Sequence, residues 1–397
     1  MNGVTEQHIE IKKQIGKVFN DIAKGMETGN FGERVTVGLT TLGSEHGVEN
    51  LVKGAEIAGK SGSFDVLLIG PKMDTDLEVI EAQDESEMHN IMEELLATKK
   101  IQACVTMHYN FPIGVSTVGK VITPGKGKEM YLATTTGTSA TDRTEAMVRN
   151  AIHGVIAAKA SGVKNPKIGV LNVDGARQVE KALSTLVNNG YDMDFSESMR
   201  ADGGVVMRGN DLLAGSPDVM VQDTLTGNIF MKIFSSFHTG GDYEALGYGY
   251  GPGIGEGYDK NILILSRASG SPVVAKALEY AAELVEGKLE QRIKEEYDKA
   301  NKAGLKDILD SLTKSHKKSD DEEEVKQPPK EVVTGSLSGI DIMELEDAVH
   351  ELWKNNIYAE SGMGCTGPVV MVSEGNIKKA IEVLKKADYA VGVPEDC

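Results

Sequence analysis

The sequence predicts an α/β fold of three layers, a largely parallel sheet between helices, with a small C-terminal α/β module. Three observations carry this reading. Short apolar runs alternate with amphipathic stretches of ten or more residues, as βαβ units require. Glycine is abundant, at 45 residues, while aromatics make up only 5%, which suits tight strand-to-helix turns better than an aromatic-rich β shell. A length of 397 residues exceeds one ordinary domain.

The elements follow in order. Residues 5–25 place Ile15, Val18, Phe19 and Ile22 three and four apart, predicting an amphipathic N-terminal helix within an extension covering 1–33. The body, 34–314, opens with a strand at Arg34–Leu39, a helix at Val48–Gly59 and a buried strand at Phe64–Ile69 ended by Gly70-Pro71. A helix over Glu85–Leu96, a strand over Ile101–Met107, a strand over Met130–Thr135 and a helix over Asp142–Lys159 continue the alternation. Next come a strand at Lys167–Asn172, a helix at Gly175–Asn189, and strands at Asp218–Gln222 and Asn261–Leu265. Pro272–Leu312 reads as charged helix interrupted near Gly287 and Gly304. The stretch 315–334 is charged, contains Pro328 and Pro329, and cannot bury enough surface to offset its ordering entropy, so it reads as a flexible linker. The module, 335–397, reads as a helix over Ile340–Trp353, a strand at Ile357–Ala359, a loop over Ser361–Pro368, a strand at Val369–Val372 and a helix with Ile377, Ala380, Ile381 and Leu384 on one face.

Composition narrows the function. Sixty acidic residues against 42 basic ones give a formal charge of −18, which repels nucleic-acid phosphates and anionic lipid. No apolar run approaches a membrane span and the N-terminus lacks the order of a signal peptide, so a cytoplasmic protein is expected. The three cysteines are widely spaced and the eight histidines form no His-x-x-x-His pair, so neither a disulfide framework nor a metal site is expected.

Several segments are able to carry chemistry. Cys365 is framed by Gly362, Gly364, Gly367 and Pro368; such a backbone approaches a substrate closely and leaves amides free, so the thiol is a candidate nucleophile or acyl carrier. The alternative is a structural cysteine in a turn, as Cys104 within Ile101–Val105 reads within a strand. Cys397 reads as a frayed end. The strand from Asp218 ends in Asp223, followed by Thr224, Thr226, Gly227 and Asn228 at a helix start. These groups either surround a phosphate or acyl carbonyl or, with Asp223 or Thr226, cap the helix. Ser44 and His46, in Gly43–Gly47, likewise read as an anion site or as a cap with a surface histidine. Arg143 is a further candidate for phosphate. The densest glycines, Gly247–Gly257, never satisfy G-x-G-x-x-G and read as a substrate loop or interface segment. Gly114–Lys120 matches the first part of a P-loop but has Val121 where Ser or Thr is needed, and it leads into a β-like segment.

Asp218-Val-Met-Val-Gln-Asp-Thr-Leu-Thr-Gly-Asn228 resembles the Asp-Val-x-Val-x-Asp-Gly-Phe-Thr-Gly-Asn signature of the bacterial phosphate acyltransferases of fatty acid and phospholipid synthesis, with Thr224 and Leu225 in place of Gly-Phe. That resemblance covers roughly 34–310 and implies an isocitrate dehydrogenase/phosphotransacetylase-type body. The body, the linker and Ser361-Gly-Met-Gly-Cys-Thr-Gly-Pro368 together resemble the alpha subunits of protein C of glycine/sarcosine/betaine reductase complexes.

The resemblance implies an acyltransferase subunit acting in amino-acid fermentation. A carboxymethyl selenoether on selenoprotein A is reductively cleaved, the acetyl group reaches Cys365 as a thioester, and inorganic phosphate releases acetyl phosphate. Protein C beta subunit and selenoprotein A are the implied partners, in an oligomer. No bound cofactor is implied, with phosphate as a substrate. Cys365, Asn228 and Asp223 are then the catalytic candidates, and Thr226, Gly227, His46, Ser44 and Arg143 the phosphate candidates. Two other readings stay open: a stand-alone phosphate acyltransferase using carrier-protein or CoA thioesters, and a non-catalytic scaffold docking the selenoprotein.

Overall fold

The computed structural model describes residues 34–200, 203–314, 325–340, 345–364, 367–387, 389 and 391–392, with isolated positions between 12 and 26. The N-terminal helix reading therefore falls mostly outside the described residues, as do Cys365 and Cys397.

The body begins with β1 (Thr36–Thr40), α1 (Gly47–Gly59), β2 (Asp65–Gly70), β3 (Glu78–Glu81), α2 (Glu85–Ala97) and β4 (Ala103–Thr106). It continues through β5 (Val115–Ile122), β6 (Glu129–Thr138), α3 (Arg143–Ala160), β7 (Lys167–Leu171), α4 (Ala176–Asn188), β8 (Asp194–Phe195) and β9 (Val206–Met207). It closes with α5 (Gly209–Ala214), β10 (Val219–Val221), α6 (Thr224–Ser236), β11 (Gly251–Ile254), β12 (Ile262–Ile264), α7 (Ser271–Glu286), α8 (Leu289–Lys302) and α9 (Leu305–Lys314). Local chemistry sets the helix starts. Asp84 caps α2 by accepting from Glu87 N at 2.8 Å, and Asp142 caps α3 by accepting from Glu145 N at 2.8 Å.

Twelve strands form one mixed, largely parallel sheet, ordered β3-β2-β1-β4-β12-β11-β5-β6-β10-β7-β8, with β9 also paired to β7. Three antiparallel pairings, β12/β11, β11/β5 and β5/β6, separate two parallel blocks. Alternation along each strand feeds two cores. Leu39 and Leu68 point into a core shared with α1, α3, α4, α7 and α8, while Leu67 and Ile69 point into one with Met88 and Met92 of α2 and Met231 and Phe234 of α6. This is the expected three-layer architecture.

The glycine-dense stretch departs from its reading as a loop. Gly251–Ile254 is a fully buried strand inside the sheet. A Cβ on Gly251 would lie 1.8 Å from Val118 O, and one on Gly253 would lie 2.3 Å from the Phe111 ring. The missing side chains admit the strand between its neighbours.

The C-terminal module comprises β13 (Gly335–Ser338), α10 (Leu345–Lys354), β14 (Ala359–Gly364), β15 (Gly367–Val372) and α11 (Ile377–Lys386). The strands form a separate antiparallel sheet ordered β13-β15-β14. Ser361–Gly364, expected in a loop, extends β14 because each residue pairs across to β15, down to Gly364 opposite Gly367. The module has its own core, around Leu337, Leu345, Leu352, Val370 and Leu384, against which Ile113 of the body packs. An antiparallel bridge between Pro112 and Gly362 lies beside that contact. In the described part of the linker, Glu331 accepts from Ser373 Oγ at 2.8 Å and Asn376 Nδ2 at 3.2 Å, tying it to the module.

Candidate active site

In open α/β sheets the ligand crevice lies beyond the carboxyl ends of the strands. Here those ends border a cavity of about 360 Å³. Met107 and His108 come from the end of β4, Thr136 and Gly137 from β6, and Ile264–Arg267 from β12. Asn228 and Lys232 enter from α6, one turn apart on the same face, and Met363 and Gly364 enter from the module. The module therefore supplies part of the wall, with the end of β14 at the cavity.

The Asp223–Asn228 segment divides into two jobs. Asp223 is the N-cap of α6: Oδ1 accepts from Thr226 N at 3.0 Å, and Oδ2 accepts from Thr226 Oγ1 at 2.7 Å and Arg143 Nη2 at 2.9 Å. Burial opposes the charge on Asp223, but the bonds from Thr226 and Arg143 outweigh it and hold the carboxyl below its ordinary pKa. Gly227 is buried, its N–H is spent on Asp223 O at 3.0 Å, and a Cβ there would sit 1.7 Å from Thr134 O. Its glycine thus serves the close approach of α6 to β6. Asn228 donates from Nδ2 to Thr135 O at 3.1 Å, which orients its amide at the cavity wall.

The first-strand loop sits beside the cavity. Ser44 Oγ accepts from His46 N at 3.2 Å, and His46, exposed at the N-cap of α1, meets the Tyr243 ring edge-on at 6.0 Å. Glu45, between them, lines the cavity and is anchored by its N–H to Arg267 O at 2.9 Å. Of the sequence-derived candidates, the structure brings Asn228 into the cavity wall. Asp223, Thr226 and Arg143 form one cluster at the start of α6, and Ser44 and His46 lie in the loop around Glu45.

Among the wall residues that the sequence does not single out are His108, Lys232, Arg267 and Met363. Lys232 was findable as the residue four after Asn228, and His108 as the second residue past a buried strand. Burial first, then the charges of neighbouring His89 and Arg267, lower the pKa of His108, favouring the neutral imidazole. Cys104, by contrast, is fully buried, and burial raises its thiol pKa strongly. Among the described residues no group of three or more His, Cys, Asp or Glu is placed to hold a metal, and no helix is long and apolar enough to cross a membrane.

Comparison with known proteins places this chain in a family. The family model described as "Fatty acid synthesis protein" matches residues 35–371. The glycine/sarcosine/betaine reductase complex component C subunit alpha of Peptoclostridium acidaminophilum is 62% identical over 379 residues, covering 95% of this chain and 98% of its own. The chain belongs to the component C alpha family. The body of this component C alpha chain is also similar to phosphate acyltransferase of Thermotoga petrophila, 27% identical over 236 residues, covering 50% of this chain and 67% of that one. A branched-chain phosphotransacylase structure from Enterococcus faecalis aligns with a TM-score of 0.46 at 18% identity, covering 63% of this chain and 99% of that one.

Proposed function

We propose that this component C alpha chain catalyses phosphorolysis of an acetyl thioester carried on its own Cys365. One observation carries the reading: β14 ends at Gly364, and Met363 and Gly364 line the same cavity as Asn228, Lys232, His108 and Arg267. The residue after Gly364 is Cys365. An acyl group on that thiol would thus begin one residue from the cavity wall.

The residues suit the reaction without a cofactor. Lys232 and Arg267 supply positive charge for phosphate, and the second N–H of the Asn228 amide can donate to the oxyanion. A phosphate oxygen attacks the thioester carbonyl, forming the C–O bond and a tetrahedral oxyanion. Its collapse breaks the C–S bond, releasing acetyl phosphate and the thiolate. The neutral imidazole of His108 is suited to carry the phosphate proton to the departing sulfur. No electrons are exchanged in this step; the preceding reductive cleavage acts on the carboxymethyl selenoether carried by the partner selenoprotein A, with protein C beta subunit as the second partner in a cytoplasmic assembly.

The test is to incubate the chain, with its beta partner, with acetyl phosphate and to map hydroxylamine-labile acetyl groups by peptide mass spectrometry. Acetyl on the Cys365 peptide, lost in Cys365→Ser, is expected. The similarity of the body to phosphate acyltransferase favours a second reading, transfer from a CoA or carrier-protein thioester. Acetyl exchange that persists undiminished in Cys365→Ser would select it.

A further inference from the structure

Glu244 does not line the cavity, yet its carboxylate is only 1% exposed. A buried charge is costly unless paired, so its partners indicate what it is held there for. Oε1 lies 2.9 Å from Lys232 Nζ, and Oε2 accepts from Ser269 Oγ at 2.9 Å. Its backbone is fixed to the same loop as Ser269. Glu244 N donates to Ala268 O at 2.9 Å and Gly270 N donates to Glu244 O at 2.8 Å. Lys232 Nζ completes the arrangement by donating to Ser266 Oγ at 2.6 Å, 5.9 Å from the centre of the Tyr250 ring. A lysine is otherwise a flexible point charge. Here it is tied down from α6 to the loop that also carries Arg267.

We propose that Glu244 is a positioning residue that fixes the Lys232 ammonium at the cavity wall, where it receives the anionic substrate. The assignment of that substrate as phosphate rests on the reading above. The positioning itself rests on the carboxylate's burial and its pairing with Lys232. Ser269 lets a neutral amide at position 244 keep one hydrogen bond, so Glu244→Gln separates charge from packing.

The experiment compares wild type, Glu244→Gln, Lys232→Ala and the double variant in the assembled complex. Lys232 labelling by trinitrobenzenesulfonate is followed by peptide mass spectrometry, and KM for inorganic phosphate and kcat are measured alongside. With an unchanged melting temperature, Glu244→Gln should speed Lys232 labelling and raise the phosphate KM by about tenfold, with kcat affected less. The double variant should be no worse than Lys232→Ala, because both changes remove one interaction. If Glu244→Gln does not fold, Glu244→Asp, which keeps the charge on a shorter arm, should give an intermediate KM. Unchanged labelling in the folded variant, or additive KM effects in the double variant, would overturn the proposal. Faster labelling with an unchanged phosphate KM would uphold the positioning and overturn phosphate as the anion.

Discussion

Asp223 and Arg143 are joined across the mouths of two helices, carboxylate to guanidinium at 2.9 Å, while the same carboxylate caps α6 through Thr226. The geometry makes Asp223 the anchor of the helix that carries Asn228 and Lys232. Asp223→Ala should cost about 1–2 kcal/mol through the lost cap. Its pKa is held below the ordinary value of 3.8, so its contribution is complete above the unfolded-state pKa and is lost as pH falls through the folded one. Acid unfolding curves of wild type and Asp223→Asn should therefore converge once the pH has fallen below the lowered folded-state value. Curves that stay parallel would remove this role.

Gly227→Ala tests the packing of α6. The new Cβ would meet Thr134 O at 1.7 Å and Gln222 Nε2 at 2.7 Å, and the first of these is backbone that cannot rotate away. A loss of about 1–3 kcal/mol is expected from overpacking, read by thermal melting. Activity should fall as well, because Asn228 moves with the helix.

Asn228→Ala removes a donor from the cavity wall and leaves Thr135 O without its partner. A kcat lower by about 10²-fold is expected if the amide stabilises the oxyanion. The stability loss should be about 1 kcal/mol, so a folded, slow variant is the diagnostic result. Full activity in this variant would exclude Asn228 from catalysis.

His153 offers a pH test independent of the site. It is fully buried, with Ser116 Oγ 2.8 Å from Nδ1 and Tyr297 OH 2.6 Å from Nε2, and burial lowers its pKa to about 3. The unfolded chain binds a proton near the ordinary histidine value of 6.5 while the folded chain does not until about 3. Stability should therefore be complete above the unfolded value and fall through that window by up to about 1.4 kcal/mol per pH unit from this group. Denaturant midpoints across the window, compared with His153→Gln, measure the slope. An identical slope in both proteins would assign the acid sensitivity elsewhere.

The seam between body and module gives a last test. Ile113→Asp should weaken docking at the Pro112–Gly362 bridge while leaving the module's own core closed. Hydrogen exchange over Ala359–Gly364 is expected to accelerate at the end of β14, and phosphorolysis to slow. Unchanged exchange would show that the docking does not depend on Ile113.

Most of the fold is readable along the chain, because the apolar periods that make α1, β2, α2, α3 and α4 are local and strands such as β2 and β7 carry their own Val, Ile and Leu. The breaks at Gly287 and Gly304 likewise mark the ends of α7 and α8. Gly251–Ile254 is different: with glycine at two of its four positions it has no apolar run to read, and its place depends on Val118 and Phe111 standing where a Cβ on Gly251 or Gly253 would be. The motif around Asn228 was also legible, yet the separate role of Gly227 was not, since it depends on a carbonyl more than ninety residues earlier. What only the tertiary structure decided is the company Asn228 keeps. Lys232, His108, Arg267 and Met363 come from four separate segments, and their meeting depends on how the sheet, α6 and the module pack, which no local pattern encodes.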